Sequence, residues 1–164
     1  MVVFFVIPII FFIILFYLIR KDKLNFIEIK IDTIEEKINE TLIKRREILK
    51  DAEIKIKEIV KTKKKVFENL DKLSKEKNDM FELDKKLLLY KKEFYLIFDK
   101  FEELKGNEEV NKIAFSLGET SDQLETYKNY YNKYAEKYNK YISSFPIILT
   151  NLFARRKKLE FFDE

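Results

Sequence analysis

The chain has 164 residues, 46% of them apolar and 38% charged, with two glycines, two prolines and no cysteine or histidine. That excludes disulfides, thiol nucleophiles, imidazole bases, thiolate or imidazole metal sites and glycine-rich phosphate loops, and with so few turn-formers it predicts an all-α chain of long helices. Lys and Arg number 33 against 29 Asp and Glu, interleaved as on solvated helix faces, and a net charge of +4 requires no nucleic-acid partner.

Residues 1–20 read as a transmembrane anchor. The run "MVVFFVIPIIFFIILFYLI" has no charged side chain from Met1 to Ile19. As a helix it spans about 28 Å, close to the hydrocarbon thickness, with Val2, Phe5, Ile10, Ile14 and Leu18 along it. Pro8 is tolerable inside such a span, Tyr17 falls where an interfacial ring belongs, and Arg20, Lys21 and Lys23 follow at once. A cleaved signal peptide would carry a basic segment before its apolar core and small residues at the cleavage site, and a lipoprotein signal would need a cysteine; none of these is present. The positive-inside rule then predicts a single-pass membrane protein, with residues 21–164 forming a helical-bundle domain on the cytoplasmic side.

From Leu24 apolar residues recur at three- and four-residue steps through Ile27, Ile31, Ile34, Ile38, Leu42, Leu49, Ala52, Ile56, Ile59, Val66, Leu70 and Leu73. This predicts one amphipathic helix to roughly Lys75, about 80 Å long. Arg45 interrupts its apolar face; either its stem snorkels to the surface or its guanidinium meets a carboxylate, for which Glu119 and Glu125 are the candidates. After a turn at residues 74–79, the series Met80, Leu83, Leu87, Tyr90, Phe94, Ile97, Phe101 and Leu104 predicts a second helix. In "KGNEEV", Gly106 stops it, Asn107 caps the next, and Glu108 and Glu109 occupy the first turn, where the helix dipole favours acids.

The third helix carries a seven-residue column of Val110, Leu117, Leu124, Tyr131, Tyr138 and Phe145, joined by Ile113, Ala114, Ala135 and Ile142. Asn132 and Asn139, each following a column tyrosine, fall at the edge of that stripe, where an amide can bond water or a polar group of a neighbouring helix. Tyr127, Tyr134 and Tyr141 widen the opposite flank, as bundle packing or as an exposed docking patch, with packing favoured. Pro146 reads as a first-turn residue of a short C-terminal helix through "IILTNLF". Arg155, Arg156, Lys157 and Lys158 then form a basic cluster beside Phe153, Phe161 and Phe162. That cluster either contacts anionic lipid or ends a helix whose phenylalanines fold back on the bundle, the second being favoured.

The pattern "YNKYAEKYNKYISSFPIILTNLF…FFDE" resembles the C-terminal signature of the LemA family: Tyr-Asn twice at seven-residue spacing, an apolar residue, Phe-Pro, Leu-Phe and a terminal phenylalanine motif. "LKGNEEV", "KRREIL" and the N-terminal apolar span resemble further segments of that family. The chain departs from it at Lys50-Asp51, where members often carry Pro-Asn, and at Glu102, where they often carry proline. The resemblance implies a bacterial single-span membrane protein with an antiparallel bundle of three long helices plus a short C-terminal one, and it implies no established catalytic residues. No cofactor or metal is assigned. The expected function is a membrane-anchored, non-enzymatic interaction or scaffold protein with an unknown protein partner. The alternative is a membrane-surface structural protein that self-associates as a homo-oligomer or binds anionic lipid through its basic tail.

Overall fold

Among the described residues these apolar repeats form the helices α1 (Val2–Val60), α2 (Met80–Lys100), the single turn α3 (Glu102–Lys105) and α4 (Glu108–Ile142). The computed structural model describes residues 2–61, 67, 79–148 and 155–163, with side chains from Val6 onward, and no strand occurs among them. Contacts divide the chain into two units, one made of Met1–Glu35 with Lys128–Glu164 and the other of Glu36–Tyr127.

In the unit Glu36–Tyr127, the α1 residues Ile38, Leu42, Leu49, Ala52 and Ile56 are each 1% exposed or less. Steps of four and three keep them on one face, and Arg45 occupies the step between Leu42 and Leu49 at 3% exposure. Leu87 and Phe94 of α2, Leu104 of α3, and Val110, Leu117, Thr120 and Leu124 of α4 complete the core with Phe67, which meets the Tyr90 ring edge-on at 5.9 Å. Lys37 lies over Tyr127, Arg45 donates to Ser121 at 3.1 Å, and Lys55 pairs with Glu109 at 2.7 Å. As α1 ascends its partners descend, so α4 runs antiparallel to it. Lys91 reaches Ser121 and Tyr95 Oη donates to Ala114 O at 2.9 Å, which makes α4 antiparallel to α2 as well. It follows that α1 and α2 are parallel, and only α4 opposes the others in the way predicted for all three long helices.

Several boundaries differ from those predicted. α1 ends at Val60 rather than near Lys75, because Lys61 adopts a left-handed φ of 52°, the conformation that ends helices and that no glycine announced here. Of the predicted turn at 74–79 only Asp79 lies within the described residues; its carboxylate caps α2 by accepting from Phe81 N–H at 3.3 Å. The second helix does not continue to Leu104. Phe101 turns extended at φ −115°, ψ 110°, and α3 starts afresh to place Leu104 in the core. Gly106 follows α3 with φ −76°, ψ −10°, a conformation open to any residue. Asn107 does cap α4, its side-chain oxygen accepting from Glu109 N–H at 3.0 Å and Val110 N–H at 3.1 Å.

Arg45 does not pair with Glu119 or Glu125, which are both exposed. Its guanidinium lies 3.6 Å from the Asp84 carboxylate, itself 6% exposed, and bonds the Ser121 hydroxyl. Lys91 donates to that same hydroxyl, which in turn donates a hydrogen bond to Leu117 O at 2.7 Å. Burial pushes the Arg45 pKa down and Asp84 pushes it back up; Lys91 is lowered by burial and then by Arg45. Two cations and a carboxylate from α1 and α2, joined by a hydroxyl from α4, thus form one polar layer, buried at Arg45 and Asp84.

In the unit of Met1–Glu35 with Lys128–Glu164, Leu24, Ile27 and Ile31 of α1 form a core with Tyr131, Ala135, Tyr138 and Ile142 of α4. Past Ile142 the chain turns, with Ser144 N–H bonded to Tyr141 O at 3.0 Å and Ile148 N–H to Ser144 O at 2.9 Å. Pro146 is not the first-turn residue predicted: the Phe145-Pro146 bond is cis, and helical geometry resumes at Ile147 and Ile148. The rest of the expected C-terminal helix, with Phe153, lies outside the described residues. At the other end of the unit, side chains from Val6 to Ile19 are mostly exposed, among them Ile10, Ile14 and Leu18 at 49–52%. Among the described residues no helix is long and apolar enough to cross a membrane.

Asp84→Ala leaves Arg45 buried without its carboxylate and is expected to cost about 3–5 kcal/mol, whereas Glu119→Ala and Glu125→Ala leave the midpoint unchanged. Urea unfolding of the full chain in detergent, followed by far-ultraviolet circular dichroism, separates the two outcomes.

Candidate functional site

Seven residues of helix advance about 10.5 Å, and three residues of nearly extended chain reach about the same distance. That coincidence builds the site. Asn132 and Asn139, seven apart on α4, face Phe162 and Leu159, three apart on the C-terminal tail. Asn132 Nδ2 donates to Phe162 O at 3.0 Å while its Oδ1 accepts from Phe162 N–H at 2.9 Å. Asn139 closes the same ring with Leu159, at 3.0 and 2.8 Å. An amide is the side chain suited to this, since it offers a donor and an acceptor side by side, as a backbone does. The tail runs antiparallel to α4 and is clasped at two points.

Side chains lock the clasp. Phe162, 4% exposed, meets the buried Tyr131 ring edge-on at 5.3 Å, with the Lys128 ammonium 5.6 Å from the Phe162 centroid. Arg156 Nε bonds Glu28 Oε1 of α1 at 3.2 Å, tying the start of the tail to the opposite helix. Tyr138 lies beneath at 8% exposure; burial raises its hydroxyl pKa, with Glu28 adding to that effect and Arg156 opposing it. Arg155, Lys157, Lys158 and Phe161 remain exposed, and Arg155 takes a left-handed φ of 48°. Lys158 and Phe161 border a shallow cleft with Glu136, Asn139, Lys140 and Ser143.

The structure therefore joins Tyr131, Asn132, Tyr138, Asn139, Arg156 and Phe162 into one site, while Arg45 belongs to the other unit. Phe145 and Pro146 sit in the turn beyond α4, exposed and buried respectively. The side chains of Val2 and Phe5 lie outside the described residues. Leu159 and Glu28 were not anticipated. Both asparagines sit where the sequence places them, at the edge of the stripe, yet their partner is a tail backbone rather than water or another helix. The matching spacings of the two asparagines and of "LEFF" are the signal that could have revealed it.

A model described as the LemA family matches residues 32–164, a span that includes the clasp and begins after the apolar run. No curated protein and no solved structure matches the chain.

Asn132→Ala and Asn139→Ala each remove two bonds, worth about 1–3 kcal/mol as a pair, and each is expected to raise the undocked tail population roughly 5- to 150-fold. The rate of trypsin cleavage at Lys157 and Lys158 reads that population, and an unchanged rate would mean the amides do not hold the tail.

Proposed function

The chain belongs to the LemA family, and from that premise we propose that it is a membrane-anchored, non-enzymatic interaction or scaffold protein of the bacterial cell envelope. The observation that carries this reading is the surface of α1 from Val6 to Ile19. Ile7, Ile9, Phe11, Phe12 and Ile13 point in different directions around the helix, and each is 46–66% exposed. A helix apolar on all sides is unstable in water and needs protein or lipid around it. In the sequence the uncharged run covers Met1 to Ile19, a length that as a helix corresponds to about 28 Å, that of a bilayer core.

The flank supports the same reading. Arg20 is the first charge after the run, and its guanidinium lies 4.6 Å from the Tyr141 ring and 5.7 Å from that of Phe16. Cations and tyrosine rings concentrate where acyl chains give way to headgroups. With Lys21 and Lys23 beyond it, the basic side faces the cytoplasm, so the helical domain stands on the inner face. In the unit Glu36–Tyr127 the buried Arg45 pairs with the buried Asp84 and bonds Ser121, as part of a packed core does, and Arg45 there acts structurally.

A second reading, in which the basic tail holds anionic lipid or the chain assembles with copies of itself, draws on the exposure of Arg155, Lys157 and Lys158. It competes with the docking of Arg156 and Phe162, which commits half of the same segment to α1 and α4.

Alkaline carbonate washing tests the anchor: the parent chain is expected to stay in the membrane pellet. A variant carrying Ile10→Asp and Ile14→Asp, at about 2.5–3.5 kcal/mol per charge near the bilayer centre, is expected in the supernatant. A parent chain that washes off contradicts the proposal. Photocrosslinking from Tyr134 separates the two readings, a distinct partner band favouring interaction and a band at twice the chain's mass favouring self-assembly.

A further inference from the structure

The turn beyond α4 carries a feature that the anchor reading does not use. Ser144 accepts a hydrogen bond from the Arg20 guanidinium, so the turn is held at the first charged residue after the apolar run. Tyr141, one helical turn earlier, lies under the same guanidinium. At that level the turn displays Phe145 at 57% exposure and Ile148 at 43%, while Pro146 and Ile147 between them are buried. The buried pair fixes the turn to the unit's core, and the exposed pair forms an apolar tip beside the place where α1 would leave the hydrocarbon.

We propose that residues 143–148 form a second membrane contact, with Phe145 and Ile148 seated at the boundary between acyl chains and headgroups. This inference rests on the reading of α1 as an anchor and adds to it. A single span leaves the domain free to tilt on its tether; a second apolar point, fixed to Arg20, sets its angle to the bilayer. Lipid is the occupant because the turn is bonded to Arg20, the residue at which the apolar run of α1 ends. Its surroundings also have the composition of an interface: the Arg20 and Tyr141 pair, and the exposed Lys21 and Lys23 available to headgroup phosphates. Phe145 and Ile148 are only partly covered by the unit, unlike the buried Pro146 and Ile147 between them.

The chain contains no tryptophan, so a single introduced indole reports its own depth. Phe145→Trp, Ile148→Trp, Phe12→Trp and Tyr130→Trp would each be made in the full chain and reconstituted in phosphatidylcholine and phosphatidylglycerol vesicles. Bromine placed near the headgroup or near the end of the acyl chain then quenches by depth. Tyr130 is 52% exposed and lies about 18 Å along α4 from Ile142, which makes it the reference for a side chain in water. The expected result is loss of emission at positions 145 and 148 with shallow bromine, loss at position 12 with deep bromine, and none at 130. Quenching at 12 with positions 145 and 148 as bright as 130 overturns the second contact and leaves the anchor standing. No quenching at 12 removes the anchor, and the second contact with it.

Discussion

An asparagine pair spaced by two helical turns and an extended tail whose contacts fall three residues apart share a repeat of about 10 Å, and the unit containing the chain's two ends depends on that match. Among the described residues, α1 and α4 supply the long helices there. A two-helix seam buries a narrow stripe on each partner, whereas α4 presents Tyr131, Ala135, Tyr138 and Ile142 together with flanking tyrosines. Something else must cover the surplus, and the tail does so by inserting Phe162 against Tyr131 while Arg156 crosses to Glu28. Its backbone would otherwise lose water without replacement; the four amide bonds supply that replacement, which is why the polar members of the motif matter as much as the aromatic ones.

The unit Glu36–Tyr127 solves a different problem. Interchangeable apolar layers along long helices permit sliding by a heptad, and one polar layer breaks that degeneracy. Arg45 takes a core step on α1, Asp84 and Lys91 take core-facing positions seven apart on α2, and Ser121 receives both cations from α4. A shift of α1 or α2 separates Arg45 from its carboxylate inside the core, and a shift of α4 removes the hydroxyl that both cations bond. Specificity of register, rather than added stability, is the role this layer fits, because desolvation of the charges offsets much of their attraction.

Much of this could be read from residue spacing. The apolar columns of α1 and α4, the Asn107 cap, the intrusion of Arg45 and the edge position of both asparagines follow from helical periodicity alone. Asp84 escaped because it lies one residue from Leu83, in an apolar series that the structure rotates, burying Asp84 and leaving Leu83 half-exposed. The end of α1 escaped because a lysine, not a glycine, takes the left-handed position, and the break at Phe101 because nothing local forbids helix there. Pairings such as Asn139 with Leu159 are tertiary: periodicity shows which face a residue occupies, and only the folded chain shows what arrives opposite it.

Hydrogen exchange of individual tail amides in the full chain is the most direct measurement of the clasp. If Asn139 and Asn132 hold the tail as described, the N–H groups of Leu159 and Phe162 exchange slowly, while those of Glu160 and Phe161 between them exchange near the rate of an unfolded peptide. Uniformly fast exchange across residues 157–163 would contradict the account.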